Sequence, residues 1–96
     1  MGYNLRDLSL TSALASAEKR RELLYALLHA GFQVRMHSYE YFIRRGKFVS
    51  IVILSPTWNT AKIKLIGWNL KDSAESAKEI EIILKGLDPG IGIDTS

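Results

Sequence analysis

Arg44, Arg45, Gly46 and Lys47 stand between two runs of aromatic and β-branched side chains in the stretch YEYFIRRGKFVSIVIL, residues 39–54. Guanidinium and ammonium groups crowded on a short loop can grip phosphate oxygens, with arginine able to do so through two parallel hydrogen bonds. The same residues equally make the solvated turn of a hairpin, where charge discourages strand-on-strand aggregation. Other cations that could join an anion site are Lys19 and Arg20 in EKRRE and Lys71 in NLKDSAESAKE. EKRRE also reads as the solvated face of a helix.

His37, with Tyr39 and Glu40 close by in MHSYEYF, has the chemistry of a general base. A lone histidine in a strand also serves structure alone, and no phosphate-cradling glycine loop, nucleophile elbow or metal-ligand spacing accompanies it. The chain has no cysteine and two histidines, which excludes disulfides, thiol catalysis and thiolate metal sites and argues against structural zinc. No cofactor is expected. Trp58, on the turn SPTWNT, can stack on a base, anchor an interface or fold over the end of the core.

The elements that position these groups follow from composition and periodicity. Ninety-six residues, 47% hydrophobic and 24% charged with a formal net charge of +3, suit one globular domain and permit a polyanionic partner without requiring one. The longest apolar run, FVSIVIL, is too short to span a membrane, and the amino terminus lacks the pattern of a secretory signal, so a cytoplasmic location is expected.

Helical spacing of Leu14, Ala17, Leu24, Leu27 and Leu28 predicts a helix over residues 12–30, capped by Ser12 or Ser16 and ended by Gly31. Residues 32–44 alternate apolar and polar, but the phase slips near His37 and Ser38. That slip predicts a bulge or kink in one long strand, with a break into two strands as the alternative. Gly46 then turns the chain into a strand over 48–54 that is apolar on both faces, and AKIKLIGW forms another. Asn69 is read as the cap of a last helix ending at Gly86, with Leu70, Ala74, Ala77, Ile80, Leu84 and Leu87 as its inner stripe. DPGIGIDTS has little to bury, so residues 88–96 are expected to form a flexible tail after a single domain over 1–87.

The expected fold is therefore α+β, a two-layer α-β-β-β-α sandwich with two helices on one face of a three-stranded antiparallel sheet. The strand over 48–54 places Phe48, Val52 and Leu54 on one face and Val49, Ile51 and Ile53 on the other. With Phe42 and either Ile66 or Trp68, the first set is expected to look outward as an interface covered by a second copy. The amino-terminal arm, with Tyr3, Leu5 and Leu8, is the alternative cover.

The element order, together with GWNLKDSAESAKEIEIILKGL, resembles the double-stranded RNA-binding domain over residues 12–87. That resemblance implies RNA held by shape and phosphate contacts from the first helix (Lys19, Arg20), the first hairpin loop (Arg44, Arg45, Lys47) and the start of the second helix (Lys71). Asp72 and Glu75 stand where that family carries further basic residues. LLHAGFQV is similar to the helix-to-strand entry of HicA-like toxins, small ribonucleases that use a strand histidine; here His37 precedes Ser38 and Tyr39 rather than following a glycine and serine. The resulting expectation is a small non-enzymatic module that binds RNA or another polyanion through the basic loop and forms a homodimer. The alternatives are a protein-interaction subunit and a ribonuclease centred on His37.

Overall fold

A computed structural model describes residues 13–96. A 3-10 turn over Ala13–Ala15 leads into helix α1 (Ala17–His29), followed by strands β1 (Gln33–His37), β2 (Glu40–Arg45), β3 (Lys47–Ser55) and β4 (Thr60–Leu65), helix α2 (Leu70–Leu87) and strand β5 (Gly92–Thr95). The protein is α+β, with a five-stranded mixed sheet in the order β1-β2-β3-β4-β5 rather than a three-stranded one. The first four strands are antiparallel neighbours, and β5 pairs parallel with β4.

The phase slip at His37 and Ser38 is a break, not a bulge within one strand. Ser38 adopts φ 56°, and His37 and Glu40 face each other across the turn that separates β1 from β2. The second reversal is at Gly46, whose φ of +75° sits in the left-handed region that glycine tolerates best, between the paired Arg45 and Lys47.

The fifth strand comes from the segment read as a flexible tail. An 18-residue helix is about 27 Å long, enough to return the chain along the roughly 20 Å of a six-residue strand. The chain therefore re-enters the sheet parallel to β4. Gly92 donates its N–H to Asn59 O at 2.9 Å, and Ile91 is fully buried in the core. The apolar alternation that places Ile91 and Ile93 inward is only two residues long, too brief to announce a strand.

One core fills the space between the sheet and the helices. It joins Leu23 and Leu27 of α1 and Ala77, Ile80 and Leu84 of α2 to Tyr41, Ile43, Val52, Leu54, Ala61 and Ile63 of the sheet. Leu14 is buried ahead of α1, whose start is capped by the Ser16 hydroxyl accepting from Lys19 N at 3.0 Å. Ser12 and the arm bearing Tyr3, Leu5 and Leu8 lie outside the described residues. The helical stripes are rotated from those expected: Leu28, Leu70 and Ala74 are exposed, whereas Leu23, Ser73 and Ser76 are buried.

Tyr41 ties sheet to helix, donating its hydroxyl to Arg20 O at 2.8 Å. Burial pushes its phenol up to about 12, with the Arg20 charge acting in the opposite sense. A raised pKa means that the folded state holds this proton more tightly than the unfolded state, whose phenol titrates near 10. The associated stability is complete below pH about 10 and drains away as pH rises toward 12. Thermal melts from pH 8 to 12 should show a fall in Tm that is clearly shallower in Tyr41→Phe; an equally steep fall would remove Tyr41 as its source.

Candidate nucleic-acid interface

Which side each strand residue takes is decided by a β-bulge. The β2–β3 register passes from Ile43↔Ser50 to Arg44↔Phe48, leaving Val49 as an extra residue on β3. Val49 and Ser50 are consequently both buried under the helices, and the strand's alternation reverses at that point. The carbonyls of the kinked segment are bonded from the start of α2: Asn69 Nδ2 donates to Phe48 O at 3.0 Å, and Ser73 Oγ donates to Val49 O while accepting from Ile66 N at 2.9 Å. Asn69 stands at the N-cap position of α2 as expected, but its side chain bonds the bulge and makes no capping hydrogen bond.

The expected interface of Phe42, Phe48, Val52 and Leu54 is divided by this reversal. Val52 and Leu54 are core residues, 0% and 4% exposed, and Ile66 is buried as well. Phe42 and Phe48 do lie on the sheet face away from the helices, but in company with Ile51 and Ile53. Straight alternation along β3 puts Phe48 and Val52 on one face; the inserted residue puts them on opposite faces.

The basic tip is divided in the same way. Arg45 points to the helix side, stacks at 3.8 Å over the Phe32 ring, donates to Ala30 O at 2.7 Å and binds the Glu79 carboxylate at 2.7 and 3.2 Å. The Arg45 hydrogen bond holds the Glu79 carboxyl below its ordinary range. Lys47 pairs with Asp72 at 2.9 Å. The carboxylates of α2 thus engage two cations of the tip, which clamps the hairpin to the helix. Only Arg44 turns to the open face.

The remaining expected contacts are dispersed. Lys19 pairs with Glu22 at 3.2 Å, and Arg20 donates to Leu14 O and Ala15 O while lying 4.3 Å over the Tyr39 ring. Lys71 is exposed near the start of α2. Of the six residues Lys19, Arg20, Arg44, Arg45, Lys47 and Lys71, three are held in ion pairs within the chain, Lys19, Arg45 and Lys47, and Arg20 is bonded to backbone carbonyls.

A different set converges on the open sheet face. Cross-strand register makes a row of Arg35, Phe42, Ile51 and Lys64 from β1 to β4, and beside it a row of Gln33, Arg44 and Phe48. A third row carries His37, Glu40, Ile53, Lys62 and Asp94, in which each carboxylate neighbours a basic group. Among the described residues Arg35, Arg44, Lys62 and Lys64 make no ion pair. The β1–β2–β3 part of this face forms an open groove of about 750 Å³ floored by Phe42 and Phe48 and walled by Arg35, Arg44, Gln33, His37 and Glu40.

Arg35, Lys62 and Lys64 were legible in part. Lys62 and Lys64 share one face of their strand by simple alternation, but nothing in the primary structure says that Arg35 stands beside Phe42 until the register is known. His37 lies in the third row, directly across from Glu40. Trp58 and Trp68 are each 78% exposed, so neither closes over the core. Among the described residues no helix is long and apolar enough to cross a membrane, and no group of His, Cys, Asp or Glu is arranged to hold a metal ion.

Comparison with protein-family models, with curated proteins and with solved structures finds no match for this chain. The functional reading therefore rests on the surface itself.

Proposed function

We propose that this protein is a small non-enzymatic binding module for nucleic acid, and that it binds by phosphate contacts on the open face of the sheet rather than through the hairpin tip. The observation that carries this reading is the partition of charge. Arg45 and Lys47 are engaged by the carboxylates of α2, while Arg35, Arg44 and Lys64 surround an apolar floor without an ionic partner among the described residues. Uncompensated cations on one face create the potential that attracts a polyanion and releases its counterions.

Adjacent arginines on opposite faces make the test direct. Arg35→Ala combined with Arg44→Ala should weaken binding of a fluorescent oligonucleotide by tenfold or more at low salt, and should flatten the salt dependence of the remaining binding. Arg45→Ala should leave affinity nearly unchanged but reduce stability by about 1–2 kcal/mol, mostly through the lost ring contact because the solvent-exposed Glu79 pair is screened. Anisotropy titrations and urea melts separate the two effects. If Arg45→Ala abolishes binding and the double variant does not, the contact lies at the tip and this assignment is wrong.

Assembly with a second copy through the same face is the competing reading, supported by the apolar Phe42, Phe48, Ile51 and Ile53. Against it, the face carries four cations, Arg35, Arg44, Lys62 and Lys64, to two carboxylates, Glu40 and Asp94, an excess of positive charge that a second copy would double and a polyanion would relieve. The ribonuclease reading has His37 beside Glu40 in its favour. Loss of full-length oligonucleotide in the same titration, abolished in His37→Ala, would replace the non-enzymatic reading with it.

A further inference from the structure

We infer that the open face selects single-stranded over double-stranded nucleic acid, taking two successive bases on the rings of Phe42 and Phe48. This rests on the nucleic-acid reading above and adds the class of ligand. Phe42 opposes Ile51 and Phe48 opposes Arg44, so the two residues stand on neighbouring strands two rungs apart, with a backbone diagonal of about 7–8 Å. That spacing is about twice the rise of about 3.4 Å between stacked nucleotides of a duplex strand. Bases can meet both rings only when splayed from one another, which an extended single strand permits and a duplex forbids.

The polar neighbours suit the same ligand. Arg35 lies directly beside Phe42 in its row, and Arg44 directly beside Phe48, so each ring has a guanidinium within reach of the phosphate attached to its base. Lys64 closes the far end of the Phe42 row, about 15 Å from Arg35 across three strand spacings. Gln33, beside Arg44, offers an amide that both donates and accepts, as a base edge requires. Three phosphate contacts on a single strand correspond to a slope of about −2 for log K against log salt. Glu40 and Asp94 share the sheet face but belong to the third row, where they stand against His37 and Lys62. The two rows that hold the rings therefore carry Arg35, Arg44 and Lys64 with no carboxylate in the same row.

Three probes of equal length decide the matter: a ten-nucleotide oligouridine, a duplex, and an abasic phosphodiester of the same charge, each titrated by anisotropy. The oligouridine should bind at least tenfold tighter than either of the others. Phe42→Leu and Phe48→Leu keep an apolar side chain but remove the ring, and each should weaken oligouridine binding about fivefold or more while leaving abasic binding unchanged. Phe42→Tyr and Phe48→Tyr should restore it; circular dichroism confirms that each variant folds. Equal affinity for duplex and single strand, or indifference to the leucine variants, overturns the stacking site while the phosphate contacts of Arg35 and Arg44 stand. Absence of binding by all three probes at low salt overturns both, as does a homodimer in light scattering that Ile51→Lys dissociates.

Discussion

Val52→Lys is expected to unfold the protein, whereas Ile51→Lys, one residue away on the same strand, is expected to fold. Val52 is fully buried between Tyr41 and Ile63 in the middle of the sheet, under both helices. An ammonium group placed there has no carboxylate opposite it, and its desolvation combines with loss of apolar packing to cost upward of about 4 kcal/mol. A domain of this size has a total stability of roughly 5–10 kcal/mol, so little cooperative structure should remain. Ile51 faces away from the helices, in a row that already ends in Lys64, and a lysine there keeps its charge in water. Urea denaturation should show a transition for Ile51→Lys within about 1 kcal/mol of the parent and none for Val52→Lys. The reverse result would mean that the strand lacks the bulge at Val49.

Removal of residues 89–96 should have the second-largest effect. It deletes Ile91, which is 1% exposed, and the half-buried Ile93, and it strips the parallel partner from β4. Loss of a buried isoleucine alone costs about 2–5 kcal/mol. The newly uncovered edge of β4 would in addition present unpaired N–H and C=O groups, a template for association between copies. The truncated chain should lose more than about 3 kcal/mol in denaturant titrations and should aggregate on warming. Ile91→Ala isolates the packing contribution, since it leaves the backbone pairing in place. A truncated chain as stable as the parent would mean that β5 adds nothing to the fold.

Both predictions turn on features that local sequence reasoning does not reach. The two helices, the Ser16 cap, the left-handed Gly31 and Gly46 and the strand pair about Gly46 all follow from short-range chemistry: periodicity, capping hydroxyls and glycine's freedom at positive φ. Those elements were readable because each depends on residues within a turn or two of one another. The separation of β1 from β2 was signalled by the phase slip, but a slip alone does not distinguish an inserted residue from a reversal of the chain. Here Ser38 reverses it.

The composition and order of its residues determined that this chain would be α+β, with one helix before and one after a run of antiparallel strands in the chain, and that a basic hairpin tip would project from β2 and β3. Tertiary structure alone decided what that tip does. Arg45 and Lys47 meet Glu79 and Asp72, residues 34 and 25 positions away, because α2 returns across the sheet. It also decided which residues form a surface: an extra residue at Val49 moves Val52 and Leu54 inward and leaves Phe42, Phe48, Ile51 and Ile53 outward, with Arg35 and Lys64 at the ends of their row. The physical reason is that a side chain's facing in a strand depends on parity, and parity is set by pairing with a neighbour rather than by the strand itself.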